Sequence, residues 1–459
     1  MVTVQRPHLH RAVLSAYIHV GSRHETPGTN GLSHFLEHML FRGIRRLPTA
    51  SAFNHQVEAL GGSLAAATHG DFTRFELTLP PGALADGAQL LGEVFTEPVF
   101  SDREVETGIV REEILEDLDE DGTDINADNV VRARVFLGHP LAMPITGSVK
   151  NVERFTERHL REHLGRYYRA RNMAVVVAGP MAHRTMQRAV TRAFSGLEPG
   201  AASAPVAFRP SQSRLRTSLV THPGSQSAVR LAFPTVGLRS PRSRHLELLL
   251  RVLDDGMSTR LHRRICDERG LAYEVNGAIE LFDDAGIFDV ASSVAHDSVD
   301  SLLGEVLSIL GELCQDGPTR DEVEKVHRRY AFDLDTLEDD AHGLCDYYGT
   351  SELFEDRQSP AERRREVLAV TAQDLRRAAR TTFDPRRLSL VRVGPRERDG
   401  RERLQALART YRERFARACL TRFPRFPGRG RLELQRPRAP VLSVAKARTS
   451  SLDRAGVFS

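Results

Sequence analysis

Two histidines and one glutamate near the amino terminus have the types and the spacing that could bind a metal ion. They lie in GLSHFLEHMLF, residues 31–41, which has no Gly or Pro after its first residue and is predicted to be helical. His34 and His38 are four residues apart, so both project from one face, and two imidazoles at that spacing can bind one zinc ion. Glu37 lies beside such an ion without binding it, where a carboxylate can take a proton from zinc-bound water.

A catalytic zinc site needs a third protein ligand and one open position. The helix-like segment Glu104–Glu116 supplies Glu113 as the candidate ligand, with Glu106 two turns earlier on the same face. Glu106 is then placed to orient a ligating histidine by accepting its other N–H. The residues alone leave an alternative open, in which the histidines are ordinary hydrogen-bonded side chains and the Glu-rich helix is a solvated surface. On the first of these two interpretations, Zn²⁺ is the candidate cofactor.

Composition excludes several classes of protein. The chain has 459 residues, 40% of them hydrophobic and 27% charged, with a net charge of +3, which is typical of a globular protein and not of a disordered one. It has no apolar run long enough to cross a bilayer and no recognisable signal peptide, so we expect a cytoplasmic protein without a membrane partner. Its four cysteines are far apart, which argues against a disulfide framework or a thiolate zinc site.

An internal repeat indicates two homologous halves. Residues 155–180 and 370–395 align without a gap at an offset of 215 residues, each with a Thr, a helical pattern, an apolar strand and a Gly-Pro ending. Strand and helix patterns interleave in both halves, which predicts helices packed on a sheet in each. The predicted division is a first domain with the zinc site, a Pro/Gly/Ala-rich linker, a homologous second domain and a basic extension: 1–195, 196–213, 214–395 and 396–459.

The basic extension has 17 basic and 6 acidic residues from Arg396 onward. An amphipathic stretch from Leu404 to Ala418 is followed by a proline-rich segment with little periodicity. The extension has few aromatic residues and no recognition motif, so we expect a solvated or subunit-docking segment and no binding of nucleic acid.

The motifs resemble those of the pitrilysin or insulinase-type zinc peptidases, whose helix carries HxxEH, the inverse of the HExxH order. HFLEHMLFRG followed by ExxxxxxE at Glu106–Glu113 resembles the family's metal motif. GGSLAAATHGDFTRFELTLP, HPLAMPITGSVKNVERFT and DDGMSTRLHRRICDERGLAYEV resemble further family segments, so that the resemblance covers residues 12–395 or nearly so. The length is similar to that of the short, two-domain members such as mitochondrial processing peptidase.

The resemblance implies an α+β fold of two homologous sandwich domains, each with helices packed on a mostly antiparallel sheet. It implies zinc bound by His34, His38 and Glu113, with Glu37 as the general base of an endopeptidase. Short family members pair two subunits into a clam-shell chamber that admits peptides or unfolded segments. The expected partners are therefore a peptide substrate and a second subunit, in a homodimer or a heterodimer.

One departure from the family pattern concerns an Arg/Tyr pair that helps to hold substrate and oxyanion. Tyr273 is present in RGLAY, but the position seven residues earlier, where the family has arginine, is Cys266. Arg264 and Arg269 are close to this position in sequence, although helical spacing directs their side chains away from where the family's arginine would point. We take Arg269 as the expected substitute for that arginine and Tyr273 as a catalytic residue. Two alternatives follow: a zinc-bearing subunit that needs a partner with the Arg/Tyr pair, or a non-catalytic assembly subunit of the same fold.

A second departure lies in the predicted edge strand. The family often has asparagine near Ala65, where the strand meets the substrate backbone. Ala65 and Ala66 are still expected to bind substrate, because addition of a peptide strand uses main-chain hydrogen bonds.

Overall fold

Two five-stranded sheets organise the computed structural model of the chain, which describes residues 1–420. The strands of the first sheet are β1 Val2–Gln5, β2 Ala12–Ile18, β3 Ser63–Thr68, β4 Thr73–Leu79 and β5 Met173–Gly179. Those of the second sheet are β6 Arg216–Thr221, β7 Ser227–Val236, β8 Val275–Leu281, β9 Ala285–Val294 and β10 Ser389–Gly394.

Helices fill the connections between these strands. In the first half they are α1 Leu32–Leu40, α2 Ala50–Ala59, α3 Leu84–Thr96, α4 Arg103–Glu116, α5 Ala127–Val135, α6 Val149–Val152, α7 Glu157–Tyr167 and α8 His183–Ala193. In the second half they are α9 Ser243–Leu253, α10 Arg260–His262, α11 Val299–Asp316, α12 Arg320–Thr336, α13 Ala341–Leu353, α14 Pro360–Leu368, α15 Ala372–Thr382 and α16 Gly400–Leu420. A π-helical turn, Arg263–Asp267, continues α10.

The two sheets have the same topology. The order is β1-β5-β2-β4-β3 in the first and β6-β10-β7-β9-β8 in the second. In each, the first strand pairs with the last in parallel, and every other pairing is antiparallel. The prediction of two homologous sandwich halves with mostly antiparallel sheets is therefore confirmed.

The offset of 215 residues holds well beyond the segment in which the sequence revealed it. It places β2 on β7, α3 on α11 and α5 on α13. It also places α7 on α15, and both helices begin at a threonine that is capped by the side chain three residues later. The Thr156 N–H donates to His159 Nδ1 at 3.1 Å. The Thr371 N–H donates to Asp374 Oδ2 at 2.9 Å. Such reciprocal caps satisfy the free N–H groups of a helix start.

Helices pack on both faces of each sheet, and on one face the helix belongs to the other half of the chain. Alternate residues of β2 point to opposite faces, and all seven are buried. Leu14 and Ile18 belong to the core beneath α1 and α3, whereas Val13 and Tyr17 pack against α13 of the second half. In return, α5 of the first half packs on β7, β9 and β10. The two halves are therefore interlocked.

The predicted linker and the start of the extension both contact the folded halves. Residues 196–213 form neither helix nor strand, but the Val206 carbonyl accepts hydrogen bonds from Arg23 Nη2 at 2.7 Å and His139 Nε2 at 3.0 Å. Leu404 and Tyr411 of α16 are buried in the core of the second half. The proline-rich part of the extension lies outside the described residues. No helix within residues 1–420 is long and apolar enough to cross a membrane.

The packing of α13 on the first sheet gives a stability prediction. A Cβ atom added to Gly349 would lie 2.1 Å from the Tyr17 ring, whereas one added to Gly304 in α11 would have its nearest neighbour at 3.7 Å. We expect Gly349→Ala to destabilise the fold by about 1–3 kcal/mol through overpacking. Gly304→Ala should be neutral or stabilising by up to about 1 kcal/mol, because alanine favours helix. Thermal unfolding midpoints of both variants test this; equal midpoints would contradict the tight α13 contact.

Candidate metal centre

The helix that carries the paired histidines begins at a glycine that no other residue can replace without strain. Gly31 precedes α1 with φ of 95°, a left-handed conformation that side chains disfavour. A Cβ atom there would lie 2.7 Å from the Thr146 carbonyl oxygen and 2.8 Å from the Gly147 Cα. The start of α1 is thus pressed against residues 146–147, which fixes where the helix enters the core.

A buried carboxylate holds the same helix start. Glu25 Oε2 accepts hydrogen bonds from the Gly31 N–H at 2.8 Å and from Asn30 Nδ2 at 3.1 Å, and its Oε1 accepts from the Ser33 N–H at 2.7 Å. A negative charge at a helix N-terminus is stabilised by the free N–H groups and by the helix dipole. Burial raises the pKa of Glu25, while these hydrogen bonds act in the opposite direction.

From this start, α1 buries its apolar side and presents its histidines to α4. One donor atom from each of His34, His38 and Glu113 lies within 4.8 Å of the other two. His34 Nε2 is 3.5 Å from Glu113 Oε1, and His38 Nε2 is 3.8 Å from Glu113 Oε2. Among the side chains described in residues 1–420, this is the one such group of three metal-binding residues. The structure thus brings together the three residues that the sequence predicted as zinc ligands.

The cluster fits a zinc ion on geometry and on donor chemistry. Zinc binds nitrogen and oxygen at about 2.0–2.2 Å in a tetrahedron, so two of its ligand atoms lie about 3.4 Å apart. The two separations above, which run to different oxygens of Glu113, are each close to that value. His34 Nδ1 is buried without a hydrogen-bond partner, so the one polar contact of this imidazole within the described residues is that of Nε2 with Glu113. A ligand at Nε2 offsets the cost of burying the ring.

The two histidines have different proton affinities. Burial and the positive charge of His38 lower the pKa of His34 to about 3, so its imidazole is neutral at neutral pH, as a metal ligand must be. Burial also acts to lower the pKa of His38. The hydrogen bond to Glu106 and the negative charges of Glu37, Glu106 and Glu113 outweigh that effect, so the pKa of His38 is raised.

The carboxylate of Glu106 fixes the orientation of His38. His38 Nδ1 lies 2.8 Å from Glu106 Oε1, which leaves Nε2 directed towards Glu113. Arg42 Nη1, one turn after His38 in sequence, lies 3.3 Å from the second oxygen of Glu106. A carboxylate that accepts from a ligating imidazole selects its tautomer and raises its basicity.

Glu37 lies on the same helix, with its carboxylate bonded to the edge strand and not to the cluster. Thr68 Oγ1, at the end of β3, donates a hydrogen bond of 2.7 Å to Glu37 Oε2. Burial raises the pKa of Glu37, and the Thr68 hydrogen bond acts against this. A carboxyl group with a raised pKa is better matched to accepting and returning a proton near neutral pH.

β3 is the edge strand of the first sheet, and it ends beside Glu37. Ala65 is exposed and Ala66 is half-buried, and both pair with β4 on one side only. The main chain of an edge strand has hydrogen-bonding groups that a further strand can use. These two residues therefore lie where an extended peptide can join the sheet.

The structure does not join Tyr273 or Arg269 to the metal cluster. Tyr273 precedes β8, is 97% exposed and lines a pocket with residues of the second sheet. Arg269 and Arg264 both form ion pairs with Glu305 of α11. Cys266, in the π-helical turn, is half-buried and free. No hydrogen bond or ion pair within residues 1–420 links Tyr273 or Arg269 to the cluster.

Sequence reasoning missed Glu25, Thr68 and Arg42. Each acts across a distance in sequence: Glu25 bonds backbone groups six and eight residues later, and Thr68 bonds a residue 31 positions away. Arg42 alone carried a usable signal, because it follows His38 by four residues and so lies on the same face of the helix.

Comparison with known proteins identifies the family. Residues 1–147 match the family model described as "Insulinase (Peptidase family M16)", and residues 154–330 match "Peptidase M16 inactive domain". An uncharacterized zinc protease of Mycobacterium leprae is 30% identical over 70% of this chain and 73% of its own length. The chain belongs to the M16 insulinase family. Another M16 relative, an uncharacterized zinc protease of Streptomyces coelicolor, is 29% identical over 86% of this chain and 87% of its own length.

Solved structures share the fold. A protease from Helicobacter pylori superposes with a TM-score of 0.79 and 20% identity, over 86% of this chain and 96% of the other. An M16 inactive-domain structure from Pseudomonas fluorescens also has a TM-score of 0.79, with 19% identity. At these identities the likeness shows the two-domain M16 architecture and no more.

The anchoring of α1 by Glu25 gives a prediction about metal affinity. Glu25→Gln keeps the size of the side chain but removes one of the two oxygens that accept N–H groups, which should cost about 1–3 kcal/mol in the free energy of unfolding. Because α1 then loses its fixed start, we also expect zinc to bind at least about tenfold more weakly, as is typical when partners of metal ligands are lost. Competition with a zinc chelator measures the affinity.

The matched control is Glu58→Gln, which removes an exposed carboxylate from α2. It should leave zinc affinity and stability unchanged. Wild-type zinc affinity in Glu25→Gln would show that the helix start does not position the histidines.

Proposed function

We propose that the chain is a zinc-dependent endopeptidase that hydrolyses peptides or unfolded protein segments. The observation that carries this proposal is the convergence of His34, His38 and Glu113 beside a buried carboxylate, Glu37, that none of them engages. Membership of the M16 family and the relatives named zinc proteases support the same function.

The proposed chemistry divides between the metal and the chain. A zinc ion bound by the three residues would lower the pKa of a water molecule and polarise the scissile carbonyl. Glu37 accepts the proton of the attacking water and returns it to the leaving amine. Thr68 holds the Glu37 carboxylate in place through its hydrogen bond. Glu106 keeps Nε2 of His38 directed at the cluster.

The edge strand supplies the proposed peptide-binding surface. An extended peptide that pairs with β3 at Ala65 and Ala66 would run towards Thr68 and hence towards Glu37. Main-chain pairing selects for extended, unfolded segments and discriminates weakly among side chains. We propose that a second subunit closes over this surface to form a chamber, which excludes folded proteins.

Replacing the proposed base tests the proposal. We expect Glu37→Gln to reduce peptide hydrolysis by about 10²–10⁴-fold, because the variant cannot accept the proton. Zinc content should stay at one ion per chain, since Glu37 is not a ligand. Hydrolysis of a mixed peptide library and metal analysis of the same preparations give both readouts.

Glu58→Gln serves again as the control and should retain full activity. If Glu37→Gln cleaved peptides at the wild-type rate, the proposed role of this carboxylate would be wrong.

A second candidate is a zinc-bearing subunit that is inactive alone. The observation that favours it concerns the arginine expected to act with Tyr273: Cys266 occupies the family position, and the two arginines close to it in sequence, Arg264 and Arg269, are bound by Glu305. A partner chain with the Arg/Tyr pair would then complete the site. A non-catalytic assembly subunit of the same fold would retain none of this activity even with a partner.

Cys266→Arg distinguishes the candidates. If a missing arginine limits the isolated chain, we expect this variant to hydrolyse peptides at least about tenfold faster than wild type, because a guanidinium forms strong, bidentate hydrogen bonds to oxygen anions. Cys266→Gln, which lacks the charge, is the matched control and should show no gain. Full activity of the wild-type chain alone would exclude dependence on a partner's arginine.

A further inference from the structure

A pocket far from the metal centre in sequence is lined by arginines and by no acidic residue. It has a volume of about 350 Å³ and lies between the start of β6, the turn before β10 and α16. Its charged lining residues are Arg214, Arg386, Arg409 and Arg412, and the remainder are neutral. The chain as a whole has almost equal numbers of basic and acidic residues, 64 and 61, so the lining of this pocket departs from the average composition.

Several arginines elsewhere in the second half are neutralised by partners. Arg403, on the same helix, pairs with Asp300 and Glu397, and Arg251 pairs with Asp255 and Asp333. By contrast, the side chains of Arg214, Arg409 and Arg412 form no hydrogen bond or ion pair within residues 1–420. Arg386 is paired with Asp384, which does not line the pocket.

The positive charge beside the pocket affects the pKa of a neighbouring arginine, Arg216. Burial, together with the positive charges of Arg134 and Arg214, lowers the pKa of Arg216. Uncompensated like charges held close together repel one another, and a bound anion relieves that repulsion.

The framework of the pocket is fixed by packing. Gln405, Arg409 and Arg412 are four and three residues apart along one face of α16. The adjoining face of that helix buries Leu404 and Tyr411 in the core, which holds the arginines in position. Leu215, Pro385 and Ala408 give the pocket an apolar component. A pocket of this volume suits a small ligand, and guanidinium groups match the geometry of phosphate oxygens.

We propose that this pocket binds a small anion with several phosphate groups, such as an inorganic polyphosphate or the polyphosphate of a nucleotide. None of its lining residues belongs to the metal centre, so this is a binding site separate from the proposed peptidase function. Several phosphates can engage Arg214, Arg409 and Arg412 at once, which a single carboxylate cannot do.

Calorimetric titration of the full-length chain with tripolyphosphate tests the proposal. The ionic strength is about 0.02 M, because salt screens the attraction between charges only weakly there. We expect saturable binding of one anion per pocket. Arg409→Gln combined with Arg412→Gln should weaken it about tenfold or more, because two charge-assisted interactions are lost. Both side chains are exposed and glutamine favours helix, so α16 should persist, which circular dichroism checks.

The matched control removes two exposed arginines from a helix of the first half, Arg184→Gln with Arg188→Gln. Equal weakening in this control would indicate general attraction to a basic chain and would overturn the proposal. So would the absence of saturable binding, or binding that Arg409→Gln with Arg412→Gln leaves unchanged. Binding to vesicles of anionic phospholipid without binding of tripolyphosphate would assign the surface to a membrane and would also overturn it.

Discussion

The placement of the metal centre depends on a negative charge buried at the start of one helix. Glu25 accepts N–H groups from the first turn of α1 and its preceding loop, and Gly31 lets that turn lie directly against Gly147. Together they fix where α1 starts and how it is rotated. The histidines lie one and two turns further on, so an error of rotation at the start would carry both away from Glu113. The cost of burying the carboxylate is offset by the N–H groups that it satisfies.

The second half contains the equivalent helix without the histidines and the glutamate. At the offset of 215 residues, the positions of His34, Glu37 and His38 are occupied by leucine, valine and leucine, all buried in the second core: Leu249, Val252 and Leu253. The helix is retained for packing alone. The scaffold thus forms without the candidate metal-binding residues, which only one copy of the repeated unit carries.

Much of this could be predicted from the sequence, because the signals are local. The spacing of His34 and His38, the helical patterns of α1 and α4, and the Thr-to-Pro segments of the repeat all lie within short windows. The two sandwich halves followed from the repeat. What sequence could not give were contacts that depend on the folded path of the chain: the loop that brings Glu25 back to the start of α1, the bond of Thr68 to Glu37, and the pairing of Arg269 with Glu305. Helical spacing had indicated that Arg269 points elsewhere, but only the packing of α11 shows where.

The exchange of α5 and α13 between the halves has an evolutionary consequence. These helices occupy equivalent positions in the repeat, and each covers the sheet of the other copy. This is the arrangement of a domain-swapped dimer whose two chains have been joined end to end. An isolated half would leave one sheet face uncovered, so an ancestor made of a single half would have needed a second copy to cover it.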